Sequence, residues 1–160
     1  MPEAQHPINV IGKIAMNILF LFAQYPKDEN GSNLHKDLPD EFCRQGANVF
    51  VATIQERRLG LKTSVSQENG RHVLRVRTGN MFNDTSKFEK VVVMLSMSGA
   101  IYSQIKKHWG DVKFDLIVGS TPYTANEKLI KGLKAHFECP AFLILWDLFP
   151  QNARDLGLIK

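Results

Sequence analysis

Four short, uninterrupted apolar runs constrain the fold of this chain more than any other feature. Polar or glycine-containing turns bound each run, and segments with a helical pattern lie between them. A strand of a parallel sheet is a continuous apolar run because helices cover both of its faces, and its alternation with helices is typical of βαβ units. The runs are residues 18–22, 49–53, 116–118 and 141–145. We therefore predict an α/β protein: a Rossmann-like, doubly wound, mainly parallel sheet in a three-layer α/β/α arrangement.

The connecting segments carry the helical period. Between residues 84 and 109, apolar residues recur every three or four positions, which predicts a stripe that faces the sheet. The members of this stripe are Phe88, Val91, Val92, Leu95, Gly99, Tyr102, Ile105 and Trp109. A later helix has its apolar residues at a spacing of four. They are Ala125, Leu129, Leu133 and Phe137.

Two further segments have less regular patterns. Residues 34–44 predict a helix that ends before Gly46, a residue suited to the left-handed conformation that often follows a helix. Pro39 predicts either a kink in this helix or a helix that begins near that proline. Residues 71–77 alternate as an edge strand that exposes three arginines on one side. The arginines Arg71, Arg75 and Arg77 would either grip phosphates or block unwanted strand pairing.

Composition limits the function classes. The 160 residues suit one domain, with 44% hydrophobic and 22% charged residues. The net charge of +4 suits anionic surfaces or phosphates but is too small for a protein that coats nucleic acid. The longest apolar stretch, residues 14–23, is far shorter than the ~20 residues of a membrane helix. Cys43 and Cys139 are far apart, so we expect two reduced, buried thiols and no metal site.

Ligands of open parallel sheets bind beyond the carboxyl ends of the strands, so the loop after the first strand is the first candidate site. Gly31 and Ser32 lie in this loop just before a helix, where backbone N–H groups can face an anion. The alternative interpretation is that Gly31 serves only the turn. The loop has neither a Gly-x-Gly-x-x-Gly fingerprint nor a P-loop, which removes most support for a dehydrogenase or an NTPase.

The loops after the last two apolar runs hold the other candidates. Ser120 and Thr121 either let the backbone approach a ligand closely or cap the next helix. Asp147 follows the last run, where it is either a partly desolvated base or a helix cap. Trp146 beside it either stacks on a sugar or base or fills the core.

Three stretches together resemble the N-terminal half of glycosyltransferase family 4, over about the whole chain after Asn17. The most specific is Trp-Asp-Leu-Phe-Pro-Gln-Asn-Ala, residues 146–153, which is similar to bacterial members that build capsule, exopolysaccharide or O-antigen. The looser matches are residues 42–53 and residues 114–122. This resemblance implies a GT-B fold, in which two Rossmann-like domains face each other across a cleft. It also implies that residues 16–160 form the acceptor-side domain, that residues 1–15 are an extension, and that the donor-binding domain is absent from this chain.

The resemblance also implies roles for single residues. Asp147 matches the acidic member of the family's His-Asp pair, and Trp146 occupies the histidine position, so a catalytic histidine is not expected there. Gly31 and Ser32 match the glycine loop that approaches the donor phosphates and the acceptor, with Ser32 in place of a second glycine. The family transfers a sugar from a nucleotide-sugar with retention and needs no metal. We expect no cofactor in this chain, since the donor would be bound mainly by the other domain, and we expect no activity from this chain alone.

The implied acceptor is a glycan or a polyprenyl-linked sugar, with no nucleic acid as partner. This acceptor predicts a cytoplasmic protein that is peripheral at the inner membrane face. Arg57, Arg58 and Lys62 would either contact anionic lipid or belong to a merely solvated loop. Two alternatives remain open: a non-catalytic acceptor-binding or membrane-recruiting subunit of a split two-chain transferase, and a flavodoxin-like domain that binds a small ligand.

Overall fold

The chain forms a single six-stranded sheet in a computed structural model that describes residues 16–27, 33–82, 85–121, 127–145 and 154–155. The strands are β1 (Asn17–Phe22), β2 (Asn48–Glu56), β3 (Ser64–Glu68), β4 (Arg71–Thr78), β5 (Leu116–Ser120) and β6 (Ala141–Ile144). Their order is β3-β4-β2-β1-β5-β6, and every neighbouring pair is parallel except β3 and β4. The four predicted apolar runs are therefore strands of a mainly parallel sheet.

Helices cover both faces of this sheet. Successive residues of β1 point to opposite sides, so Ile18 joins one buried cluster and Leu19 joins the other. Helix α1 (Leu34–Arg44) packs on the side of Ile18, whereas α2 (Lys87–Trp109) and α3 (Glu127–Phe137) pack on the side of Leu19. These two apolar interfaces make the predicted three-layer, Rossmann-like α/β/α fold.

Helix α1 begins at Leu34, because the side chain of Asn33 accepts a hydrogen bond from the backbone N–H of His35 at 2.9 Å. The helix runs through Pro39, so the predicted alternative of a start near that proline is wrong. Gly46 follows the helix with φ of 95°, which confirms the predicted left-handed residue.

The predicted stripe of α2 is wrong in the first half of the helix and confirmed in the second. In the first half Val93 and Met97 are buried, whereas the predicted inward residues Phe88, Val91, Val92 and Leu95 are exposed. In the second half the predicted Ile105 and Trp109 are buried, and the predicted Tyr102 packs against the same core. The start of the helix explains this orientation. Glu89 accepts hydrogen bonds from Arg57 and from the backbone N–H of Asn80, and Val93 lies one turn after Glu89 on the same side.

Helix α3 has the predicted orientation. Leu129 and Leu133 are buried, and Phe137 packs against the same core. Ala125, the first predicted member of this stripe, lies outside the described residues.

Strand β4 is an internal strand, and the prediction that it forms the sheet edge is wrong. Strand β3 pairs antiparallel with it on the outside, through a turn in which Asn69 and Gly70 have φ of 46° and 79°. Arg71 and Arg75 are therefore buried rather than exposed, while Arg77 is exposed as predicted. Neither predicted role fits the two buried arginines, since both roles, binding phosphate and blocking unwanted strand pairing, require an exposed side chain.

Both cysteines are free thiols, as predicted. Cys139 is buried in the core beneath α2 and α3, and Cys43 on α1 is half-buried. Burial raises the pKa of both thiols, so both are protonated and unreactive at neutral pH.

Candidate functional site

The order of the strands reverses between β1 and β5. From β1 the chain moves outward through β2 to β4, and β5 then returns to the other side of β1. The segments that follow β1 and β5 lead to helices on opposite faces of the sheet, and open parallel sheets bind their ligands in the crevice at the carboxyl edge beside such a reversal.

A hollow of about 270 Å³ opens at this edge, where β1 and β2 end. It combines a small apolar floor with polar side chains at its walls and rim. Its lining residues are Ala23, Gln24, Tyr25, Lys27, Ile54, Gln55, Glu56, Leu59, Arg75 and Phe82.

A buried cluster of an aromatic ring and two guanidinium groups fixes one wall of the hollow. Arg75 donates hydrogen bonds to the Tyr25 carbonyl and to the Glu68 carboxylate, each at 2.9 Å. The guanidinium carbons of Arg71 and Arg75 each lie 5.8 Å from the centre of the Tyr25 ring, and Arg71 also pairs with Asp40. Burial raises the pKa of Tyr25, so its phenol is neutral and the wall is cationic only at the arginines.

A second part of the lining is held by hydrogen bonds to the loop after β4 and to the segment between β2 and β3. Glu56 accepts from the backbone N–H groups of Met81 and Phe82 at 2.6 and 2.7 Å and pairs with Arg58 at 3.1 Å. Gln55 donates from its amide to the Lys62 carbonyl at 3.0 Å. Each of these polar groups bonds to a neighbouring segment, so the contacts fix the position of this part of the lining.

The rim is formed by the residues directly after β1. Gln24 and Lys27 are exposed there, so an amide and an ammonium group face solvent beside the hollow. Since Arg75 pairs with Glu68 and Glu56 pairs with Arg58, Lys27 is the exposed charge of the lining. This arrangement suits an anionic group at the rim with a small apolar or sugar moiety below it.

Two of the predicted site residues lie at the same edge. Ser120 ends β5 with 2% of its surface exposed, and its hydroxyl donates to the Leu21 carbonyl at 3.4 Å. Thr121 donates its backbone N–H to the Ile144 carbonyl at 3.1 Å. They tie β5 to β1 and to β6 at the crevice.

The other predicted site residues, Gly31, Ser32, Trp146 and Asp147, lie outside the described residues and stay predictions.

Comparisons of the chain with protein-family models, with curated proteins and with solved structures found no match.

Within the described ranges, no three His, Cys, Asp or Glu side chains cluster in a way that would hold a metal ion. Nor, over the same part of the chain, does any helix combine the length and the apolar character that crossing a bilayer requires.

Several lining residues of the hollow were missed by the sequence analysis. Tyr25 and Lys27 precede Gly31 in the same loop. Gln55 and Glu56 extend a strand whose apolar run ends at Thr53. One available signal was position, since Tyr25 and Lys27 closely follow β1 and Gln55 and Glu56 end β2 at the ligand-binding edge. Arg75 gave no such signal, because its place depends on the unpredicted strand β3.

Proposed function

We propose that this chain is the acceptor-binding half of a retaining GT-B glycosyltransferase. In this proposal a sugar passes from a nucleotide-sugar to a glycan or polyprenyl-linked acceptor during synthesis of a cell-surface polysaccharide. The acceptor occupies the hollow at the carboxyl edge, and a second, donor-binding domain faces it across the crevice. The chain works at the cytoplasmic face of the membrane, where such acceptors are found.

One observation carries this proposal: the hollow beside the ends of β1 and β2 has an exposed Lys27 at its rim. A polyprenyl-linked sugar joins a sugar to a lipid through phosphate, so its recognition needs a cation next to a shallow cavity. Lys27 supplies that charge at the rim of the hollow.

The described side chains divide the work between binding and support. Glu56 and Arg75 are held in ion pairs, so they position the walls. The proposed catalytic residue is Asp147, which follows β6 in the sequence, with Gly31, Ser32 and Trp146 as further substrate contacts. Ser120 and Thr121 hold the edge from which those loops depart. The donor phosphates belong to the second domain, so the contribution of this chain is acceptor binding and orientation.

A binding titration tests the proposal. The probe is farnesyl-diphospho-N-acetylglucosamine, a short-chain polyprenyl-linked sugar, titrated calorimetrically into the purified chain. Lys27→Gln should weaken binding about tenfold, because it removes a charge-assisted contact to the diphosphate. Lys113→Gln is the matched control: Lys113 is exposed just before β5, at the opposite edge of the sheet, and its loss should leave the affinity unchanged.

Two results would overturn the proposal. One is absence of heat on addition of the probe. The other is an equal effect of Lys27→Gln and Lys113→Gln, which would show that charge acts without a site. A chain that instead purifies with a flavin, visible in its absorbance, would favour the flavodoxin-like alternative.

A further inference from the structure

A second hollow, of about 250 Å³, lies between helices α2 and α3. Each helix lines it with two adjacent residues and the residue three positions later, which share one face of a helix. They are Ser98, Gly99 and Tyr102 of α2 and Lys128, Leu129 and Gly132 of α3. None of these six residues lines the hollow at the carboxyl edge, so the two hollows are separate.

Two glycines leave space between the helices. A Cβ added at Gly99 would meet no described atom within 4 Å, so this position has room for a side chain. A Cβ added at Gly132 would lie 3.3 Å from Cε2 of Tyr102, which shows that the Tyr102 ring reaches across to α3. Glycine is less favourable than alanine inside a helix, and no close contact in the described ranges requires one at Gly99. The open volume beside Gly99 is therefore a feature of the hollow.

The rest of the lining is mostly apolar and is held in place. The Lys106 Nζ atom lies 5.7 Å from the centre of the Tyr102 ring. The His136 ring meets the same ring edge-on, with centres 6.4 Å apart. Leu129, which is 2% exposed, adds a buried aliphatic side chain. The hollow thus offers a fixed aromatic ring and a leucine side chain to any molecule that enters it.

Ser98 is the buried polar residue of this lining. It is 5% exposed, and its hydroxyl has no hydrogen-bond partner among the described residues. The other two serines within α2 bond to their own helix, Ser96 to the Val92 carbonyl at 2.8 Å and Ser103 to the Ala100 carbonyl at 3.0 Å. A serine inside a helix normally faces water or makes such a bond, and Ser98 does neither. Because a buried hydroxyl without a partner is unfavourable, Ser98 indicates a ligand that supplies the missing hydrogen bond.

We propose that the hollow between α2 and α3 binds a small aromatic molecule that carries one hydroxyl group and is about the size of phenol. Its hydroxyl bonds to Ser98, and its ring packs against Tyr102 and Leu129. Apolar cavities in proteins take up single aromatic rings, and ligand sites combine an apolar lining with a few polar groups that fix orientation. The serine hydroxyl both donates and accepts, so it pairs with a phenolic hydroxyl in either direction. This proposal goes beyond acceptor binding and does not depend on it.

A titration with two probes tests this proposal. Phenol is added to the ¹⁵N-labelled chain, and the amide signals of Gly99 and Gly132 should shift with a dissociation constant of about 1 mM or below. Ser98→Ala should weaken phenol binding about fivefold, because one hydrogen bond is lost. Toluene has the same ring without the hydroxyl, so it should bind the parent chain and Ser98→Ala equally.

Two further variants serve as controls. Ser96→Ala removes an exposed hydroxyl of the same helix, one that bonds to its own helix, and should leave the affinity for both probes as in the parent. Gly99→Leu places a side chain where the hollow has room, so it should block both probes without lowering the urea midpoint of the chain. Ser98→Ala should likewise leave the urea midpoint of the free chain no lower than that of the parent, because its hydroxyl has no bond to lose.

Three outcomes would overturn the proposal. The first is the absence of shifts at Gly99 and Gly132 on addition of phenol, or shifts that persist in Gly99→Leu. The second is a phenol affinity that Ser98→Ala leaves unchanged, or that Ser96→Ala lowers to the same extent. The third is a lower urea midpoint of the free Ser98→Ala chain, which would show that the hydroxyl is already bonded within the protein and is not available to a ligand.

Discussion

Strand β4 and helix α2 distribute polar and apolar side chains in opposite ways. Strand β4 buries two arginines, with Arg71 only 3% and Arg75 only 6% exposed, next to the Tyr25 ring. Helix α2, the next element in the chain, leaves Phe88 and Leu95 about four-fifths exposed. Charge is inside and hydrocarbon outside, in two elements separated by fewer than ten residues.

The availability of partners explains this difference. Each buried guanidinium has an acceptor set: Arg75 has Glu68 and the Tyr25 carbonyl, and Arg71 has Asp40 and the Glu68 carbonyl. Such contacts offset the cost of removing a guanidinium from water. The exposed apolar side chains of α2 have no comparable layer above them in the described part of the chain. A residue's type thus indicates its position only when its partners are known.

The largest expected effect is a difference in stability between substitutions on the two sides of α2. Ile101→Ala should lower the free energy of unfolding by about 4 kcal/mol, because Ile101 is 1% exposed and its loss leaves a cavity against the sheet. Leu95→Ala on the outer side should change it by less than about 0.5 kcal/mol. Urea unfolding measures both values. A large loss for Leu95→Ala would mean that this side of α2 is packed within the chain.

The next effect tests whether the buried arginine is truly partnered. Arg75→Ala should cost about 2 to 3 kcal/mol, because it leaves the Tyr25 carbonyl and the part-exposed Glu68 carboxylate without their donor. Arg77→Ala removes the same side chain two residues along the strand, where it is exposed, and should change stability by less than about 0.5 kcal/mol. Equal losses in the urea midpoints of the two variants would contradict the assignment of Arg75 to the wall of the hollow.

The four apolar runs predicted the parallel sheet because each carries its own signal. Isoleucine, leucine and phenylalanine at residues 18–22 need cover on both faces wherever they are placed. The positions of β3 and β4 could not be predicted in the same way. Residues 64–68 are mostly polar, so nothing marks them as a strand until Asn69 and Gly70 close the turn. Once β3 is outside, Arg71 and Arg75 become internal.

The orientation of the first half of α2 could not be predicted from the local sequence pattern, for a different reason. Its first half has apolar residues on every side, so two stripes compete and the sequence period does not choose between them. The choice is made by long-range contacts of Glu89 with Arg57 and Asn80. The hollow was partly predictable: its place at the carboxyl edge follows from the topology, whereas the Arg75 wall follows from β3 and was missed.

The smallest effect sharpens the comparison by asking whether the layer beneath α1 disfavours charge on a partly buried imidazole. His35 packs on Phe22 with ring centres 5.0 Å apart, and burial lowers the pKa of its imidazole. The unfolded chain, with a histidine pKa near 6.5, then binds more protons than the folded chain at acidic pH. The free energy of unfolding therefore falls as the pH drops from about 6.5 towards the lower pKa of the folded chain, and it does not change with this group above about pH 6.5. His35→Gln should flatten the dependence of the urea midpoint on pH over that interval, while His108→Gln on the exposed last turn of α2 should leave it as in the parent. An unchanged slope in His35→Gln would mean that burial of His35 does not disfavour its charged form in this layer.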